Sequence, residues 1–166
     1  MLSFIKRLRT SYVVFFAAFC FNAMIYEAIA AEIKDGTILF MQKDGTDSCT
    51  IPFKTGTYNF KDEGAGFGCE NDDKSMIELN DVPSATTVLL TDTDDCNKKS
   101  NQNYWVEFKT IKQPTNVKQL LISQFFEKNN GDVIVPGIRL IDAYRRNDDS
   151  LTGKLSCVVI KRSDLP

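Results

Sequence analysis

The feature that most constrains this chain is the brevity of its apolar runs. After residue 36, stretches of about four to eight residues with alternating or β-branched character are closed by turn signals about every 8–12 residues, the rhythm of a sandwich or barrel. The runs are Thr37–Gln42, Cys49–Phe53, Thr57–Phe60, Ser75–Leu79, Ala85–Leu90, Tyr104–Ile111 and Leu155–Ile160. In Tyr104–Ile111, Trp105, Glu107, Lys109 and Ile111 take one face and Val106, Phe108 and Thr110 the other. Such a period of two is a half-buried strand. Val117–Lys128 reads two ways. Leu120, Leu121, Phe125 and Lys128 have helical spacing, yet the stretch also enters Asn130-Gly131 as a strand that would return through Asp132–Val135. The hairpin is the favoured reading. A short similarity at an offset of 31 residues, Pro83-Ser84 with Leu89-Leu90 against Pro114-Thr115 with Leu120-Leu121, hints at duplicated β-motifs.

The N-terminus reads as an export signal. Lys6, Arg7 and Arg9 precede an apolar run over 11–25, and Ala28-Ile29-Ala30 supplies the small-x-small cleavage pattern. The run is short for a membrane span, which needs about 20 apolar residues. Residues 1–30 are therefore expected to be removed, leaving 31–166 as a single β-rich domain, periplasmic or secreted. The leader takes three of the 20 basic and one of the 22 acidic residues, so the remainder carries 17 against 21 and a net charge of −4. Neither nucleic acid nor an anionic membrane surface is an expected partner of such a chain.

Cysteine and histidine counts narrow the chemistry. Of five Cys, Cys20 leaves with the leader, and Cys49, Cys69, Cys96 and Cys157 are expected to form two disulfides with three pairings open. The chain has no His. That excludes His-dependent nucleophilic triads, His-ligated metals and an imidazole base. Paired-carboxylate chemistry is what remains, with Glu107 beside Trp105 and Tyr104 as one candidate without a named partner.

Acidic and amide residues gather between 70 and 95. Asn71-Asp72-Asp73-Lys74-Ser75 and Asn80-Asp81-Val82-Pro83-Ser84 both read Asn-Asp-x-x-Ser. Oxygen-only donors at this spacing suit a hard cation, although Asp and Asn also fill ordinary β-turns. The two stretches resemble the calcium-loop motif of βγ-crystallin Greek-key domains, with Met76 and Ala85 at the motif's final position. The resemblance implies a double Greek-key sandwich, calcium as the only cofactor, and Asn71, Asp72, Ser75, Asn80, Asp81 and Ser84 as its ligands.

The expected fold is mostly β: a small disulfide-stabilised antiparallel sandwich or Greek-key domain with at most one helix after the leader. The expected function is a non-enzymatic binding protein, an inhibitor or immunity-type protein that occludes a protein partner outside the cytoplasm. A calcium-binding structural domain and a small carbohydrate-binding or carbohydrate-active protein are the alternatives. Tyr144, Arg145, Arg146, Tyr104, Trp105 and Phe67 are the candidate binding surface, since Trp, Tyr and Arg dominate hot spots. Tyr144–Asp149 is read as a polar turn.

Overall fold

The computed structural model describes residues 35–62, 66–99, 101–146 and 150–163. The expected leader, its cleavage site and Cys20 lie outside them. Among these described residues, ten strands form two antiparallel sheets: β1 (Thr37–Met41), β2 (Cys49–Pro52), β3 (Gly56–Asn59), β4 (Met76–Val82), β5 (Thr86–Thr91), β6 (Tyr104–Thr110), β7 (Thr115–Leu121), β8 (Val133–Val135), β9 (Ile138–Arg145) and β10 (Cys157–Arg162). All seven runs expected as strands are strands. No helix among the described residues is long and apolar enough to cross a membrane.

The first sheet has the order β2-β1-β4-β7 and the second β3-β10-β5-β6-β9-β8. These orders reveal two matching halves. In each, a hairpin (β1–β2, β5–β6) is followed by a strand given to the opposite sheet (β3, β7), and a fourth strand returns beside the first (β4, β10). This is a double Greek key, with β8 and β9 inserted between the third and fourth strands of the second half. The offset of 31 is not the period of this duplication. Pro83-Ser84 precedes β5, the first strand of its half, whereas Pro114-Thr115 opens a third strand.

Alternation places the core between the sheets. Ile38 and Phe40 of β1, Ile77 and Leu79 of β4, Val88 and Leu90 of β5, Val106 and Phe108 of β6, and Val158 and Ile160 of β10 are all fully buried. Each buried side chain of this size contributes about 1.5–3 kcal/mol of transfer free energy. Phe40 meets Phe60 edge-on with ring centroids 5.2 Å apart.

The Val117–Lys128 segment resolves as a strand followed by a 3-10 turn at Ile122–Glu127. The Gln124 side-chain oxygen accepts the Leu121 N–H at 3.0 Å, and Phe125 stacks on Phe108 at 5.2 Å. The turn therefore docks on β6, and the expected hairpin through Asn130-Gly131 does not form. β7 and β8 belong to different sheets. The tight hairpin is β8–β9, through Gly137 at φ 102°, where an added Cβ would stand 2.8 Å from the Thr115 Cγ2. Left-handed backbone and close approach together require glycine there.

Candidate functional site

Both disulfides form, as Cys49–Cys69 and Cys96–Cys157. Each organises a different surface. Two covalent bridges fit an oxidising compartment.

Cys49–Cys69 draws the β1–β2 turn against the loop that enters β4. Asp47 lies two residues before Cys49, and Glu70 directly follows Cys69. Carboxylate oxygens of Asp47, Glu70 and Asp73 come within 4.8 Å of one another. Lys74, its side chain only 1% exposed, reaches into this group. Its Nζ donates to the Asp47 main-chain oxygen at 2.9 Å, Asp47 Oδ2 at 2.8 Å and Asp73 Oδ2 at 2.5 Å. Burial pulls the Lys74 pKa down, but hydrogen bonds to Asp47 and Asp73 outweigh it and leave the value raised. The same bond from Lys74, followed by the Asp73 contact, holds the Asp47 carboxyl below the ordinary range.

The loop preceding β4 also meets the loop preceding β10. Ser75 and Ser156 each stand one residue before the fourth strand of their half. Ser75 Oγ accepts the Gly153 N–H at 2.7 Å. In return the Ser156 hydroxyl lies 3.1 Å from Asp72 Oδ1 and 3.0 Å from the Asp92 main-chain oxygen. Asp72 also donates its N–H to the Leu155 oxygen at 3.2 Å. Gly153, at φ 61°, lets the second loop pass close to the first, since a Cβ there would sit 3.0 Å from the Asp72 carbonyl oxygen. The reciprocal serines were not anticipated. Their signal was a Ser directly before each returning strand, which can be recognised only once the halves are aligned.

The six expected calcium ligands do not come together. Asn71, Asp72 and Ser75 precede β4, while Asn80, Asp81 and Ser84 fall at its far end, about 20 Å away at the rise of an extended strand. Asn71 donates to Asp72 Oδ2 at 2.9 Å. At the far end, Asp81 exchanges hydrogen bonds with the Asn116 side chain, its N–H donating at 2.7 Å and its Oδ1 accepting at 3.1 Å. Asn80 Oδ1 accepts from Lys118 at 3.4 Å, and the Ser84 N–H donates to Gln113 at 2.6 Å. These contacts pin β4 to β7 and the turn before it.

Cys96–Cys157 organises the second surface. Cys157 alternates with inward Val158, so its sulfur leaves the outer face of the second sheet and ties residues 92–99 across it. Lys98 in that strap sits 4.8 Å from the Trp105 ring centroid and pairs with Glu107 at 2.5 Å and Asp142 at 3.3 Å. Burial works against the Lys98 charge, but these carboxylates prevail and its pKa is raised. Trp105 and Tyr144 are register partners whose rings stack at 5.9 Å. A bulge between Glu107 and Phe108 turns both Ile141 and Asp142 outward, and Ile141 is 38% exposed. The platform therefore spans β6 and the inserted β9.

The expected binding residues are divided by this geometry. Trp105 and Tyr144 share the platform. Tyr144 and Arg145 belong to β9, so the expected polar turn does not begin there; Asn147, Asp148 and Asp149 lie outside the described residues. Arg145 lines a cleft of about 250 Å³ with Lys43 and Ser75, and Arg146 donates to the Asn101 oxygen at 2.7 Å. Phe67 is 43% exposed but packs on Tyr58 of β3, about 14 Å across the sheet from β6. Tyr104 is a correction: it is fully buried, because it is in phase with Val106 and Phe108 on the core face. Burial first, then the nearby Asp92 and Asp72 carboxylates, keeps its phenol protonated.

No family model matches the sequence, and no curated protein matches it. Among solved structures the chain is similar to a βγ-crystallin domain from Flavobacterium johnsoniae, at 11% identity over 80% of this chain and 99% of that one, with a TM-score of 0.40. It is also similar to a structure described under the evolution of the eye lens βγ-crystallin domain fold, at 14% identity over 79% and 89%, again with a TM-score of 0.40.

Proposed function

We propose that the chain is an exported, non-enzymatic binding domain that engages a protein partner through the outer face of its second sheet, acting as an inhibitor or immunity-type protein. The observation that carries this reading is the Trp105–Tyr144 stack flanked by Lys98 and exposed Ile141 on a disulfide-strapped sheet. Large aromatic anchors on a rigid support lose little conformational entropy on association, and such residues dominate interface energetics. The sheet face offers a platform, which suits a macromolecular surface better than a small molecule needing a concave pocket. Pull-down from periplasmic or culture-medium extract tests it, with wild type compared against a folded Trp105→Ala variant. A specific partner retained by wild type and weakened about 30-fold in the variant supports the reading. Equal recovery by both contradicts it.

A carbohydrate ligand is the second reading. Glu107 and Asp142 are register partners beside the aromatic pair, and Asn130 donates to Asp142 Oδ1 at 3.1 Å. Aromatic rings next to carboxylate and amide groups match the apolar face and hydroxyls of a sugar. Glycan-array binding that vanishes with Trp105→Ala distinguishes it from the protein partner.

A further inference from the structure

We propose that Lys74 supplies, from within the chain, the cation that the acidic pocket of the first loop requires, and thereby sets that pocket against divalent metal ions. The oxygens around its ammonium are two carboxylates and a main-chain carbonyl, the hard donor set that a calcium ion takes. Three oxygens at 2.5–2.9 Å use all three protons of the ammonium. With Glu70 also close, carboxylates gathered this tightly repel one another unless a positive charge stands among them.

The backbone leaves Lys74 little freedom to withdraw. The adjacent Ser75 donates its N–H to the Met41 oxygen at 2.9 Å, and its own oxygen accepts the Ile122 N–H at 3.0 Å. On the other side, Asp73 Oδ1 accepts from the Gln42 side chain at 2.6 Å. The Cys49–Cys69 bridge holds the Asp47 and Glu70 segments together around the ammonium. A divalent ion entering this pocket would have to displace a buried, fully bonded cation or share its ligands against direct charge repulsion. The loop is thus complete without metal.

The test is thermal melting of the full disulfide-bonded chain in chelator, in millimolar calcium and in millimolar magnesium. Wild type is expected to melt at one temperature in all three. Lys74→Ser, which removes the ammonium and opens the pocket, is expected to melt on the order of 10 °C lower in chelator. It should then gain a saturable rise of several degrees with calcium, abolished by adding Asp47→Asn. Lys74→Arg, which keeps the charge, should stay indifferent to calcium. If Lys74→Ser is unfolded in chelator, folding on addition of calcium supports the proposal and failure to fold contradicts it. A saturable calcium stabilisation of wild type, or a folded Lys74→Ser that ignores calcium, overturns it.

Discussion

The two halves of the molecule share a strand plan and differ in how their loops are held. In the first half, the segment before β4 closes around a buried ammonium, Lys74, whose carboxylate partners Asp47 and Asp73 keep part of their surface in water beside a disulfide. In the second half, the strap over residues 92–99 is held by a disulfide and by lysines that stay partly in water: Lys98 on Glu107 and Asp142, and Lys99 on Asp95. The second half also carries the inserted β8–β9 hairpin, whose β9 provides Tyr144, Asp142 and Ile141. What the halves share is scaffold. Among the described residues, only the second carries the stacked Trp105–Tyr144 platform, the surface proposed above for binding.

Breaking each half in turn should show this difference. The largest stability loss is expected from Cys96→Ser with Cys157→Ser, which opens a loop with a sequence separation of 61. The chain-entropy model puts it at about 4 kcal/mol, against about 3 kcal/mol for Cys49→Ser with Cys69→Ser, whose separation is 20. Chemical denaturation of the four-Cys and two-Cys forms checks the order. Removing Lys74 by Lys74→Ala comes next, at about 3 kcal/mol, because Asp47 and Asp73 lose their counter-charge while keeping some access to water. Lys99→Ala, its counterpart in the strap, should stay within about 0.5 kcal/mol, since exposed pairs contribute little. Equal losses from the two lysine variants would erase the distinction between the halves.

The smallest effect is one of pH. The Lys99 bond, then the Thr93 hydroxyl, lowers the Asp95 carboxyl from 3.8 to about 2. A group whose pKa is depressed on folding stabilises the fold above its unfolded value and loses that contribution as pH falls between 3.8 and about 2. A carboxyl NMR titration should place Asp95 near 2 in wild type and closer to 3.8 in Lys99→Ala. An unchanged midpoint in the variant would assign the shift elsewhere.

Much of the fold was legible because period-two alternation reports which residues share a face. It located β6 and six other strands. Alternation does not report which sheet a strand joins, so the exchange of β3 and β7 and the hairpin failure at Asn130-Gly131 lay beyond it. β9 was missed although Ile138 and Leu140 alternate with Arg139; its charged end at Arg145-Arg146 resembled a turn. At the site, Trp105 and Tyr144 were named for their residue types, but their stacking depends on a cross-strand register set by the inserted hairpin. Tyr104 went to the core because strand phase outweighs its polar tip. Lys74 occupied a free position of the Asn-Asp-x-x-Ser pattern, and its importance arises from Asp47, which a disulfide brings from 27 residues away.

The outer face of the second sheet is the proposed working surface. Photo-crosslinking residues placed at Ile141 on that face and at exposed Thr50 on the first sheet probe this in periplasmic or culture-medium extract. A discrete adduct is expected from position 141 that disappears when Trp105→Ala is added, and none from position 50. An adduct from position 50 alone, or one from 141 that persists without Trp105, would contradict it.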